Sequence, residues 1–257
     1  MNDPVIQPVD QEYLRYFEAQ AVQAACEAFR KAVPAQISFA IADSTGVGTN
    51  RRDPSWASDP EVPLIIIKDI EGEYIAYMMV CSMHPTVLHE DSKLFSGDFP
   101  AYTREILQKK HGGCPVLYFT GAAGNQSPRH VTKSNTFEEA SRIGGLLAAS
   151  IARETNKSIE AHVDVQISCC SAFVDLPRRR LPLPEEAEMG CKKAIRRLNS
   201  LKESAAGKQA VRTAEVDWFG AEELLCLSEQ SEAKKLEKFY HSCLPAEVQV
   251  IRIGYFT

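Results

Sequence analysis

The chain has 257 residues, of which 44% are hydrophobic and 25% charged, the balance of an ordinary globular protein. Its formal net charge of −5 argues against a broad cationic surface that would recruit nucleic acid. No apolar run approaches the roughly 20 residues that span a bilayer, and residues 1–4 lack the basic flank and apolar segment of a secretory signal. We therefore expect neither a nucleic-acid partner nor a transmembrane segment.

The first third of the chain predicts a helix, a strand and a loop. Apolar residues from 10 to 32 recur near the 3.6-residue period of a helix, and Asp10 is a suitable N-cap. Residues 36–42 predict a strand. Residues 44–60 are rich in Gly, Asp, Ser and Pro, which predicts a loop.

Two β-rich runs follow, at 64–70 and 74–82, and the Glu-Gly pair at 71–72 suits a hairpin turn between them. Residues 99–110 predict a helix that a Gly-Gly pair stops. The apolar run 115–119 predicts a short strand.

Helices and strands alternate in the second half of the chain. Thr136 and, three residues later, Glu139 form the capping-box pattern that opens a helix. The predicted elements are helices at 137–154, 184–203 and 220–241, and strands at 161–175 and 248–256. The order of elements indicates an α/β fold, a mixed β-sheet core flanked by helices, in one domain over residues 1–257.

The eight cysteines contain no Cys-x-x-Cys pair, which argues against a zinc site built from thiolates. A chain of this length does not need disulfides to fold. We therefore expect reduced and mostly buried thiols.

Two polar loops, each directly after a predicted strand, carry residue types that are used in catalysis. His84 follows the strand at 74–82, and Ser127 lies in a Gly-rich segment after the strand at 115–119. In α/β proteins, ligands collect beyond the carboxyl ends of strands. We therefore predict that His84 and Ser127 lie close together, at the ends of neighbouring strands.

These loops carry a resemblance to a known family. Segments 84–86, 96–102 and 124–128 resemble, in that order, motifs of the neutral/alkaline non-lysosomal ceramidases, and segments 50–52 and 247–254 resemble two further parts of that family. The resemblance implies a zinc-dependent amide hydrolase that cleaves a lipid-like N-acyl amide, an N-acyl sphingoid base. It also implies a secreted or membrane-surface location.

The resemblance gives three residues a role. His84 matches a zinc ligand, Ser127 matches a catalytic serine that either attacks or orients the substrate, and Arg51 matches an active-site arginine that binds substrate. The residues alone leave other readings open. His84 could be a turn histidine bonded to backbone, and Ser127 a cap for the next segment. Arg51 could be a solvated loop residue, with Arg52 as a one-residue shift.

Asp98 has two possible interpretations. It could hydrogen-bond to a zinc ligand, or it could cap the following helix. A metal-free serine hydrolase that uses Ser127, His84 and Asp98 is another possibility, although the sequence lacks the Gly-x-Ser-x-Gly elbow. His89 lies near His84, but a five-residue spacing outside a clear helix argues against a second metal ligand.

A catalytic zinc needs about three protein ligands. Residues 1–49 contain no histidine, although the family has its upstream ligands there, and the family's downstream Glu and Tyr would follow Thr257. We therefore expect a partial catalytic domain, cut at both ends, with weak zinc binding and little activity by itself. The alternative is a non-catalytic structural or binding module of the same fold.

Overall fold

The computed structural model describes residues 10–89, 92–157, 159–177, 179–236 and 245–254. Its helices are α1 (Gln11–Arg30), α2 (Asp98–Lys110), α3 (Phe137–Thr155), α4 (Pro184–Glu203) and α5 (Lys208–Glu232). Its strands are β1 (Ala35–Asp43), β2 (Thr49–Asn50), β3 (Glu61–Asp69), β4 (Tyr74–Cys81), β5 (Val116–Thr120), β6 (Gln126–Ser127), β7 (Ile167–Val174) and β8 (Ala246–Ile253). The α/β fold class is confirmed.

The main sheet has four strands in the order β1-β3-β4-β5. Strands β1, β3 and β4 are antiparallel neighbours, whereas β5 runs parallel to β4, so the sheet is mixed as expected. The predicted hairpin between β3 and β4 is present. Gly72 in its turn has a φ of 93°, in the left-handed region that glycine adopts without a steric penalty.

Helices α2 and α3 cover one face of this sheet and form the hydrophobic core with it. Alternate residues of the strands point into that core, for example Leu64 of β3 and Met79 of β4, which are 2% and 1% exposed. The two helices approach closely at Gly144. A Cβ atom there would lie 2.6 Å from the Phe99 carbonyl oxygen, and Thr103 Oγ1 donates to the Gly144 carbonyl at 3.1 Å.

Helix α1, the β7–β8 pair and helices α4 and α5 are much more exposed. Helix α1 buries none of its residues, although Asp10 caps it as predicted by accepting from the N–H groups of Glu12 and Tyr13. Strands β7 and β8 pair as an antiparallel hairpin, and every residue of β7 is exposed. Helices α4 and α5 pack against each other. Leu198 and Ala214 are buried, whereas most other residues of the two helices are not.

Three sequence-based expectations are wrong. Helix α5 begins at Lys208 instead of 220, because its N-cap Gly207 offers no side-chain acceptor and its first turn has no acidic residue, so the usual start signals are missing. Strand β7 begins at Ile167 instead of 161, because the backbone of His162 pairs with Ile37 of β1 in an isolated bridge. The predicted loop 44–60 contains the short strand β2.

The expectation of mostly buried cysteines is also wrong. Of the described cysteines, which are all free thiols, Cys81 and Cys114 are buried, Cys191 is intermediate, and the exposed ones are Cys26, Cys169, Cys170 and Cys226. The exposed thiols lie on α1, β7 and α5, where little tertiary structure covers them. Cys243 lies outside the described residues, as do 255–257 at the end of the predicted last strand. Within the described part of the chain, no helix has the length and hydrophobicity that a membrane span requires.

Candidate active site at the ends of β4 and β5

The parallel pair of β4 and β5 brings the two candidate loops together. Both strands end at the same edge of the sheet, where Cys81 is opposite Thr120. Beyond that edge, the His84 N–H donates to the Gln126 carbonyl at 3.1 Å, one residue before Ser127. The prediction that His84 and Ser127 lie close together at the ends of neighbouring strands is confirmed.

A second, very short ladder adds Arg51 to the same place. Strand β2 pairs with β6, so that Thr49 is opposite Ser127, and the Arg51 N–H donates to the Asn125 carbonyl at 2.7 Å. The chain passes so closely here that a Cβ atom on Gly48 would lie 2.8 Å from the Ser127 carbonyl oxygen. The three segments with Arg51, His84 and Ser127 are therefore joined by backbone hydrogen bonds.

Buried amides hold this arrangement in place. Gln126 is 2% exposed, and its Oε1 accepts from the Asp59 N–H at 2.9 Å. Asn50 is 5% exposed, and its Nδ2 donates to the Ala57 carbonyl at 3.0 Å. The sequence interpretation missed both residues. The signal was there, since both lie in the segments that carry the resemblance, 50–52 and 124–128, and each directly precedes a candidate site residue.

Ser127 is 3% exposed, and its backbone is extended. Its Oγ accepts from the Arg129 N–H at 3.3 Å and caps a 3₁₀ turn, Pro128–His130. The capping interpretation is therefore confirmed. The hydroxyl hydrogen of a serine is a separate donor, so the cap leaves Ser127 able to donate to a ligand.

His84 has a fixed backbone and an unpaired ring nitrogen. Its N–H is bonded to Gln126, its carbonyl accepts from the Thr86 N–H at 3.0 Å, and its Nδ1 is buried without a hydrogen-bond partner among the described residues. Because a buried polar atom without a partner is costly, this nitrogen points to a missing proton donor or metal. An imidazole nitrogen is a natural zinc ligand, so His84 fits that role as one ligand.

Asp98 anchors the loop after His84 to α2 and forms no hydrogen bond with the His84 ring. Its carboxylate accepts from the Leu88 N–H at 2.8 Å and from the Phe99 N–H at 2.7 Å. It is 5% exposed and has a φ of 52°. Asp98 is the first residue of α2, whose N-cap is Gly97 without a side-chain capping bond, so the interpretation of Asp98 as the helix cap is wrong. A Ser127–His84–Asp98 triad is also wrong, because the histidine and the carboxylate are not bonded.

The site opens into a cavity of about 510 Å³ that Arg51 and Ser127 line together. Thr86 and His89 of the His84 loop also line it, and His84 itself does not. The other side of the cavity is formed by the segment after Ser127 and by the first turns of α5, at Lys208 and Arg212. No sequence signal indicated that α5 contributes to this site.

The described residues contain no group of three His, Cys, Asp or Glu side chains that could hold a metal ion. A metal site that uses His84 would therefore need further ligands from outside the described residues.

The sequence matches no protein-family model and no curated protein. Among solved structures, the chain is similar to neutral ceramidase from Pseudomonas aeruginosa, with a TM-score of 0.51 and 19% identity over 64% of this chain and 29% of that one. It is also similar to a ceramidase complexed with C2, with a TM-score of 0.49 and 19% identity over 59% of this chain and 26% of that one.

The first of these likenesses shows the fold: this chain has the fold of part of a neutral ceramidase. It spans between 26% and 29% of the length of the two ceramidases. The resemblance read from the sequence motifs and the likeness of the folds therefore point in the same direction.

Proposed function

We propose that this chain forms part of the catalytic domain of a zinc-dependent amide hydrolase, which resembles neutral ceramidase and cleaves N-acyl sphingoid bases to a fatty acid and a sphingosine-type base. The observation that carries the proposal is the meeting of three segments, with Arg51, His84 and Ser127, at one edge of a sheet whose fold is that of a neutral ceramidase.

In this proposal His84 is one zinc ligand, and the remaining ligands come from outside the described residues. Bound zinc would polarise the amide carbonyl and lower the pKa of a water molecule. Ser127 would donate its hydroxyl hydrogen to the substrate beside the cavity, with Oγ held in place by the Arg129 N–H. The Arg51 guanidinium would bind a polar group of the substrate or the charge that develops on it.

A second candidate is a non-catalytic binding module of the same fold. It is favoured by the lack of a three-ligand group among the described residues. The two candidates differ in whether a longer polypeptide that contains this chain turns over substrate.

The first test uses the chain itself. We expect substoichiometric zinc after purification in zinc-containing buffer, and little hydrolysis of N-acyl sphingosine, because one ligand supplies only a small part of the coordination free energy. The measurements are metal content by mass spectrometry and release of the free base. Stoichiometric zinc with steady turnover would mean that the ligand set is complete within this chain.

The second test uses a longer polypeptide that includes this chain and is active. There His84→Ala should abolish both zinc binding and activity, whereas Ser127→Ala should abolish activity and leave most of the zinc bound. Arg51→Ala should weaken substrate use more than metal content, because a guanidinium does not ligate zinc. Near-normal rates for Ser127→Ala would reduce that residue to its capping role.

A further inference from the structure

The cavity beside Ser127 is strongly cationic, although the chain as a whole has a net charge of −5. Its lining includes five basic side chains and only one carboxylate, that of Glu215. The basic residues are Arg51, Arg129, Lys133, Lys208 and Arg212. All the other lining residues are polar, so no apolar side chain forms the wall. A hydrocarbon chain would gain little there, whereas an anion would be attracted from several directions.

The positive charge is only partly compensated, although Asp217, which is bonded to Arg52 and Arg197, also acts on Arg129. Arg212 pairs with Glu215, but Arg51, Lys133 and Lys208 form no ion pair with a described carboxylate. Arg129 donates from its guanidinium to the Arg51 carbonyl oxygen at 3.1 Å, a neutral acceptor. Burial lowers the pKa of the Arg129 guanidinium, and the charges of Arg51 and Arg212 lower it further. Like charges held together in this way favour an anionic ligand that would offset their repulsion.

The cavity has a direct relation to the proposed chemistry. Arg51 and Ser127 belong to its wall, so a group bound among Lys133, Lys208 and Arg129 would lie beside the proposed catalytic serine. We propose that this cavity binds the anionic head group of the substrate, and that the substrate class is an N-acyl sphingoid base with a phosphate-type head group. The N-acyl sphingoid part of this inference rests on the proposed function, whereas the anionic head group rests on the cavity.

Binding of three ligands to the chain tests the inference. The ligands are inorganic phosphate, N-acetylsphingosine and N-acetylsphingosine 1-phosphate, measured by titration calorimetry in a neutral detergent with a chelator present, so that no metal bridges the phosphate. The two lipids differ only in the phosphate. We expect the phosphorylated lipid to bind at least about tenfold more tightly than either of the other two, because its phosphate would form charge-assisted hydrogen bonds in the cavity while its N-acyl sphingoid part binds at the adjoining proposed active site.

Charge-neutral variants locate the binding. Lys208→Gln and Lys133→Gln should each weaken binding of the phosphorylated lipid by about threefold to tenfold, because both side chains are exposed and line the cavity. Lys202→Gln is the matched control, since it removes the same charge from an exposed site on α4 outside the cavity. It should change affinity by less than about twofold.

Three results would overturn the inference. Equal affinity for the two lipids would show that the phosphate is not recognised. Inorganic phosphate that binds as tightly as the phosphorylated lipid would make this a site for a free anion. An equal loss in the Lys202 control would reduce the effect to net charge. Because these are binding measurements, a longer polypeptide without hydrolytic activity would reject the proposed hydrolase and leave a Lys208-dependent preference for phosphate intact.

Discussion

Two regions of the molecule are equally regular but differ in burial. One is the four-stranded sheet with α2 and α3, and the other comprises α1 and the β7–β8 hairpin. Helix α1 has 20 residues and a well-formed N-cap, and β7 and β8 keep one register over eight residue pairs. Yet α1 buries no residue, and Phe29 is 85% exposed, whereas Leu147 of α3 is fully buried.

The difference shows that local signals suffice to form an element, while stability depends on what covers it. The candidate site belongs to the well-packed region. The segments with His84 and Ser127 follow β4 and β5, and the segment with Arg51 is hydrogen-bonded to the one before Ser127. Asp98 of α2 also accepts from the Leu88 N–H in the loop after His84. Substitutions that weaken the packed region should therefore disturb the site, whereas those on α1 should not.

The largest expected effect is in the core. Leu147→Ala should lower the free energy of unfolding by about 2–5 kcal/mol, because the side chain is fully buried and its removal leaves a cavity. Phe29→Ala on α1 should change it by no more than about 0.5 kcal/mol, since that side chain is already exposed. Urea unfolding of both variants measures the contrast, and similar losses would show that α1 is packed in solution.

The close approach of α2 and α3 provides a second, smaller contrast within one helix. Gly144→Ala should destabilise by about 1–3 kcal/mol, because the new Cβ would lie 2.6 Å from the Phe99 carbonyl oxygen. Gly145→Ala should stabilise by up to about 1 kcal/mol, because nothing lies within 4 Å of its Cβ position and alanine favours a helix. The two thermal midpoints should move in opposite directions, and a loss in both would place the helix contact elsewhere.

Glu139 ties the start of α3 to the segment that lines the cavity. Its carboxylate accepts from Arg142 and from the Lys133 N–H, and these bonds lower the pKa of Glu139 to about 2 from an ordinary 4.5. A lowered pKa in the folded state contributes stability that is complete above pH 4.5 and is lost as the pH falls towards 2. Glu139→Gln should therefore cost about 2 kcal/mol at pH 7 and less as the pH falls through that window.

Unfolding of Glu139→Gln and the parent chain at several pH values between 7 and 2.5 measures this dependence. Arg142→Gln serves as a companion variant, because it removes the ion pair and keeps the carboxylate. A stability difference between Glu139→Gln and the parent that stays constant with pH would show that the carboxylate is not the titrating group.

The smallest expected effect concerns His111, which packs against Tyr74 and Tyr77 at the other end of the sheet. Burial lowers the pKa of its imidazole, and Lys110 and Lys68 lower it further. Because the unfolded chain then binds the proton more readily, stability should fall as the pH drops below about 6.5. His111→Phe should remove that part of the pH dependence, and an unchanged profile would show that His111 does not contribute to it.

Structural elements that depend on residues close together in the chain can be predicted from the sequence. Asp10 caps α1, Gly72 turns the hairpin, and Thr136 accepts from the Glu139 N–H at the start of α3, as their patterns predict. The other half of the predicted capping box is absent, because the Glu139 carboxylate accepts from the Lys133 N–H and from Arg142. The neighbouring positions of His84 and Ser127 also followed from the sequence, because each comes directly after a strand and parallel strands end at the same edge.

The enclosure of the site depends on contacts between segments that are far apart in the chain. The β2–β6 ladder that brings Arg51 to Ser127 joins residues more than 70 positions apart, through strands too short for a recognisable pattern. The cationic cavity joins the segment after Ser127 to the first turns of α5, which lack the usual signals of a helix start. Such contacts form through the packing of distant segments, so a local pattern of residue types does not predict them.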